Sequence, residues 1–235
     1  MHDIHVPSEI QARYLTPARG ITFLLLALVA VGVLAFLALL GSDADRAWQA
    51  YVSNWLFFTG VAQGAIIFCA ATVIVKAKWN WSVRRVTLAL GAFLPLSYLL
   101  MLPMVLNLRE DYFPWIEEMD FDPIVQAKEA YLNIPFLVSR NVLGLAILFG
   151  MSLIFMYWAL RPDMGPERAS DEGGVKARTS WRERLAGNWL GQAAEETRAW
   201  ARLKVLSPAL ALVFALVMSF VAVDWAMSLD THWFS

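Results

Sequence analysis

Twelve residues at the end of the chain hold the densest group of side chains that could do chemistry beside an apolar run. They are Asp224-Trp225-Ala226-Met227-Ser228-Leu229-Asp230-Thr231-His232-Trp233-Phe234-Ser235. Two carboxylates, an imidazole and two tryptophans stand there at the end of an apolar run that begins at Ser207-Pro208. Ionisable groups at such a place are costly and mark paths for protons, ions or polar ligands. His232 titrates near neutrality, and Asp224 is drawn up by desolvation and down by any nearby arginine. Arg140, followed by Asn141, opens another apolar run and is expected at the same membrane level. Its cation opposes the helix macrodipole there, so it gains from a nearby anion. Gln63, within Thr59-Gly60-Val61-Ala62-Gln63-Gly64, is the fifth candidate, since its amide needs a partner in a low-dielectric setting. Each has a structural reading beside the chemical one. Gln63 then makes an interhelical hydrogen bond, and Arg140 pairs with an aspartate. We expect Asp224, Asp230 and His232 to approach Arg140 as one proton-exchanging cluster.

These residues must be positioned by membrane helices. The chain has 235 residues, of which 59% are hydrophobic and 17% charged, with a mean hydropathy of +0.53. That is too apolar for an ordinary soluble domain. Five runs reach the length of about 20 residues that crosses a bilayer: 21–40, 55–75, 86–106, 135–160 and 207–229. The expected fold is an all-α integral membrane bundle of five helices with an amphipathic helix on the inner surface. Residues 1–20 form a cytoplasmic leader, 21–160 the first four helices, 161–206 a cytoplasmic loop, and 207–235 the fifth helix with its outer polar motif. The first run lies behind a polar leader and lacks a small-x-small cleavage site before Asp43, so it reads as a retained helix.

Charge sets the expected orientation. Fifteen of the 19 Lys and Arg fall in the leader, after the second run and after the fourth. The positive-inside rule then places the N-terminus in the cytoplasm and the closing motif outside, with the outer segments at 41–54 and 107–134. Tryptophans agree, as Trp48, Trp55, Trp225 and Trp233 mark outer helix ends and Trp79, Trp81 and Trp158 inner ones. The segment 109–129 holds seven acidic residues against two basic ones. It reads as a solvated loop, or as a surface for a basic partner.

In the inner loop, Pro162-Asp163-Met164-Gly165-Pro166 ends the fourth helix and Asp171-Glu172-Gly173-Gly174 reads as linker. Trp181, Leu185, Trp189, Trp200 and Leu203 give 179–206 the pattern of a helix lying on the membrane or on a subunit. Ser207-Pro208 then predicts a cap and first turn for the fifth helix. Pro95 and Pro103 predict bends in the third, each needing something to re-satisfy the freed backbone.

Redox centres are constrained by composition. Cys69 is the one cysteine and the histidines are His2, His5 and His232. No haem attachment motif, multi-cysteine iron–sulfur pattern or pair of intramembrane histidines exists. The chain is expected to bind no haem, no iron–sulfur cluster and no metal.

The closing motif resembles the D-W-x-M-S-L-[DE]-x-H-W-[FY]-S signature of quinone-binding subunit 2 of alternative complex III, a bacterial quinol:cytochrome c oxidoreductase. Asn54-Trp55-Leu56-Phe57-Phe58-Thr59-Gly60 and Tyr131-Leu132-Asn133-Ile134-Pro135-Phe136, which precedes Arg140, extend the similarity over about 48–235. These subunits are polysulfide-reductase-type (NrfD-like) membrane proteins with about ten helices around two four-helix bundles, so this chain corresponds to the N-terminal half. The resemblance implies a subunit of the bacterial inner membrane without a metal centre of its own. It implies quinone or menaquinone as a diffusible ligand, and no nucleic acid. Its partners would be a related quinol-oxidising membrane subunit, an iron–sulfur subunit and haem c subunits, with membrane lipid around them. The implied role is quinol and proton handling, with Gln63, Arg140, Asp224, Asp230 and His232 as candidates. A structural anchor for peripheral redox subunits and a secondary transporter are the other classes.

Overall fold

The computed structural model describes residues 19–77, 79–108, 112–164 and 187–232, with only the backbone of Trp81, Ser82 and Met164. The expected leader up to residue 18, the linker at 171–174, the residues Trp181 and Leu185, and Trp233 lie outside them. Among the described residues there is no strand, and five helices are long and apolar enough to cross a membrane. The protein is an all-α membrane bundle.

The chain divides into two compact units, 1–47 and 48–235. In the first, α1 runs from Arg19 to Ser42, and none of its residues is buried. A helix apolar on every side has no face that prefers a protein core over lipid. Helix α2, Ala44–Ile74, carries the chain into the second unit. It begins eleven residues ahead of the expected span, because the Asp43 side chain accepts the Arg46 N–H at 3.1 Å and caps it. The outer segment expected at 41–54 is thus helical except at Asp43.

The third crossing is built in pieces. Helix α3, Trp81–Leu90, passes through a 3-10 turn at Gly91–Phe93 into α4, Leu94–Asn107. Pro95 sits in the first turn of α4 and Pro103 inside it. The carbonyls of Ser97, Leu100 and Met104 accept bonds from Trp55 Nε1, Tyr51 Oη and Tyr112 Oη at 2.9, 2.9 and 3.0 Å. Backbone polarity on both sides of Pro103 is therefore met from α2 and from the following loop. Leu108, left-handed at φ 36°, ends α4.

The acidic segment beyond it is more than a solvated loop. Its short helices α5, Trp115–Glu118, and α6, Pro123–Gln126, bring Trp115 and Val125 into the core beside Tyr112 and Phe113. The carboxylates of Glu117 and Asp120 stay exposed. Aromatic burial decides its path, and charge decides only its outer face.

Helix α7 runs Ile134–Leu160, capped by the Asn133 side chain on Phe136 N at 2.9 Å, with Pro135 in its first turn. Helix α8 runs Gln192–Trp225 without interruption, and a 3-10 turn at Met227–Leu229 follows. This corrects the expected surface helix ending at Leu206 and the expected start at Ser207-Pro208. Ser207 Oγ donates back to Leu203 O at 2.7 Å instead of capping forward, as serines inside membrane helices do. Proline within a helix costs about 3 kcal/mol, and the continuous seam compensates. Ala199, Leu203, Ser207, Leu210, Val217 and Val221 are all buried along one stripe facing α7.

Close packing can be tested at two glycines. A Cβ on Gly91 would lie 2.5 Å from Ile66 Cδ1 and 2.6 Å from Met156 Sδ, whereas at Gly144 the nearest atom is a Val217 methyl at 3.4 Å. Gly91→Ala should lower unfolding stability in detergent by about 1–3 kcal/mol. Gly144→Ala should leave the same thermal melt nearly unchanged.

Candidate functional site

Both arms of the expected cluster are fixed locally before they meet. Arg140 stands in the second turn of α7, behind the Asn133 cap, and Asp224 in the last turn of α8. The antiparallel pairing of these helices brings the two together. Arg140 Nε meets Asp224 Oδ2 at 2.8 Å and Nη2 meets Oδ1 at 2.6 Å, with the side chains 3% and 0% exposed. This is the bidentate fork that suits guanidinium to carboxylate.

Neighbours complete the network. Asn141 Nδ2 donates to Asp224 Oδ2 at 2.7 Å, and the Tyr131 hydroxyl donates to Oδ1 at 3.2 Å. Arg140 Nη1 donates to Tyr131 O at 2.8 Å. The guanidinium carbon lies 4.0 Å from the centre of the Tyr131 ring and 4.6 Å from that of Phe136. Trp225 Nε1 donates to Asn141 Oδ1 at 2.8 Å, which also fixes the amide's orientation. The Asp224 carboxylate thus accepts four hydrogen bonds, two on each oxygen. Burial, reinforced by the Asp224 charge, pushes the Tyr131 phenol up to about 12, so it remains a donor at neutral pH.

The Trp225 ring packs at 5.1 Å from Trp55, 4.9 Å from Phe113 and 6.1 Å from Tyr112, centre to centre. A 290 Å³ cavity lined by Tyr131, Ser228, Asp230 and Thr231 opens beside the network. Tyr131 touches that cavity on one side and Asp224 on the other.

The remaining candidates lie elsewhere. Gln63 is fully buried on α2 and exchanges two bonds with Ser152 of α7, Nε2 to Oγ at 3.0 Å and Oγ to Oε1 at 3.2 Å. Ser152 is twelve residues beyond Arg140, about 18 Å along the helix. His232 is exposed and pairs through Nε2 with Asp122 Oδ2 at 2.5 Å. Asp230 is exposed at the cavity rim. The expected four-residue cluster is therefore a buried Arg140–Asp224 pair, with His232 drawn to the loop and Asp230 to solvent. Its failure is lateral: His232 and Asp230 follow the end of α8 and reach past the helix onto the surface.

A second buried ion pair was not anticipated. Arg161, just past the end of α7, meets Glu195 of α8 with Nε to Oε2 at 2.9 Å and Nη2 to Oε1 at 3.1 Å. Its guanidinium also donates to the Tyr157 hydroxyl and to Gly187 O. Glu195 begins the stripe that continues through Ala199 and Leu203, and that spacing was the available signal. Among the described residues, no group of three or more His, Cys, Asp or Glu is placed to hold a metal ion.

Breaking the Arg140–Asp224 pair should be more damaging than replacing it. Arg140→Met or Asp224→Leu alone should cost about 3–5 kcal/mol by stranding a buried charge. The double variant should recover much of that loss in denaturant unfolding of the purified protein. Losses that simply add would show that the two side chains do not act as a pair.

The surface pair carries a pH signature. The Asp122 bond raises His232 above the ordinary imidazole range, and the same bond, with Ile124 N–H, holds Asp122 below the carboxylate range. His232's contribution is complete below its unfolded pKa and is lost as pH rises through the raised value. Asp122's is complete above its unfolded pKa and is lost as pH falls through the lowered one. Amide protection at 226–231, measured against the intrinsic exchange rate at each pH, should therefore be greatest between those two titrations. Asp122→Asn, which keeps the α6 cap, should abolish the loss of protection on the alkaline side. An unaltered profile in that variant would exclude the His232–Asp122 pair as its cause.

No family model and no curated protein matches the chain.

Proposed function

We propose that the chain is a membrane subunit of a respiratory quinol:electron-acceptor oxidoreductase of the alternative complex III type. It sits in the bacterial inner membrane with its N-terminus in the cytoplasm and contributes to quinol and proton handling without a metal centre of its own. One observation carries this reading. The three segments that bear the resemblance are far apart in sequence yet meet at Asp224-Trp225, where Trp225 packs on Trp55 and Asp224 accepts from Tyr131 and from Arg140. Such convergence is what a shared functional architecture requires, and chance likeness of three short motifs has no reason to produce it.

In this reading the network holds the end of α8 against the entrance of α7, and the adjoining cavity offers the outer water a contact with Tyr131 and Asp230. Quinol oxidation releases protons, and a cavity with such groups at the outer surface suits their discharge. Electrons pass through partner subunits that carry iron–sulfur and haem c centres. A structural anchor is the second reading. It is favoured by the four donors that already fill the Asp224 carboxylate.

Pull-down from native membranes followed by mass spectrometry tests the assignment, and iron–sulfur and haem c subunits are the expected companions. In the assembled complex, Asp224→Asn should lower quinol turnover about tenfold or more if the network handles protons. Unchanged turnover with intact assembly selects the anchor. Recovery of the chain without redox subunits rejects the proposal.

A further inference from the structure

The end of the bundle opposite Asp224 contains a cavity of 770 Å³. Its walls come from the turn between α2 and α3, the first turns of α3, the end of α7 with the turn after it, and the first turns of α8. They differ in character with depth. Ala199 and Leu203 are buried at the floor, and Trp158 and Trp200 form half-buried sides. Lys76 and Arg85 stand at the exposed mouth with the half-buried Arg84 behind them, and Asp163 and Glu196 are the acidic lining residues.

More cations adjoin it. The Arg198 and Arg202 guanidinium carbons lie 5.3 and 5.5 Å from the Trp158 ring centre, and Lys204 Nζ lies 5.5 Å from that of Trp200. Six cations thus gather around two carboxylates at a helix end where the hydrocarbon of the bilayer gives way to headgroups. The tryptophans mark that level, as amphipathic rings do.

We propose that this cavity binds one anionic phospholipid, with the phosphate at Lys76 and Arg85 and an acyl chain lying over Leu203 and Ala199. The combination of an apolar floor, a cationic mouth and a lateral position between membrane helices fits a molecule with both parts. A free phosphate would leave the apolar floor unused, and a neutral lipid would leave the charge excess unused. Arg85 already forms a bidentate pair with Asp163, at 2.9 and 2.6 Å, yet remains 70% exposed. Asp163 therefore occupies the place a lipid phosphate would take and competes with it. Arg84 has a different task, donating to Ala159 O at the end of α7, so it shapes the wall and supplies charge from behind.

The full chain in mild detergent can be mixed with phosphatidylglycerol or phosphatidylcholine and its retained lipid counted by native mass spectrometry. One phosphatidylglycerol per chain should survive, with phosphatidylcholine retained at least tenfold less. Lys76→Gln combined with Arg85→Gln should cut retention by about an order of magnitude, as expected for two interfacial cations. Asp163→Asn, which removes the competitor, should raise it severalfold and keeps the proposal testable if the double variant fails to fold. Equal retention of the two lipids, or no response to Asp163→Asn, overturns the proposal. Full displacement by inorganic phosphate at equal concentration also overturns it, in favour of a soluble anion. So does capture of an acidic peptide with exclusion of lipid.

Discussion

The antiparallel pairing of α7 with α8 is the interaction on which the rest of the bundle depends. Two buried arginines on one side meet two buried carboxylates on the other, Arg140 with Asp224 and Arg161 with Glu195. The arginines are 21 residues apart, about 32 Å along a helix, close to the thickness of the hydrocarbon layer. A charge inside that layer without its partner is prohibitively costly. The pairs therefore set register: sliding α8 along α7 by one turn would strand four charges at once. Apolar contacts between the helices lack that discrimination, since one leucine fits nearly as well as another against lipid or protein.

Everything else is arranged around this seam. Helix α2 joins it through Gln63 and Ser152 at mid-span and through Trp55 and Trp225 at one end. The broken third crossing enters through Gly91, where the absence of a side chain lets the turn approach Ile66 and Met156. The loop before α7 closes the end by packing Tyr112 and Phe113 on Trp225. Aromatic bulk there excludes water from the ion pair and so strengthens it.

The parts that could be read in advance are those governed by large, one-dimensional costs. Five crossings follow from apolar length, and the Arg140–Asp224 pair follows from depth, since two opposite charges at one membrane level have every reason to meet. What escaped depends on lateral geometry or on competing local signals. Ser207-Pro208 has the form of a helix start, and only the 4-3 spacing of Leu203, Ser207, Leu210, Phe214, Val217, Val221 and Asp224 reveals the seam running through it. Glu195 stands beside Glu196, and only its four-residue spacing to Ala199 and Leu203 sets it on the seam. The carboxylates of 109–129 concealed the aromatics that bury that segment, and no periodicity links Asp122 to His232.

The two ion pairs are alike in geometry but opposite with respect to their own helices. Arg161 follows the C-terminus of α7 and Glu195 lies in the first turn of α8, so each is stabilised by its own helix dipole even when separated. Asp224 lies in the last turn of α8 and Arg140 near the start of α7, so each depends on the opposite helix for a compensating field. Pulling the helices apart is therefore resisted most at the Asp224 end and least at the Glu195 end.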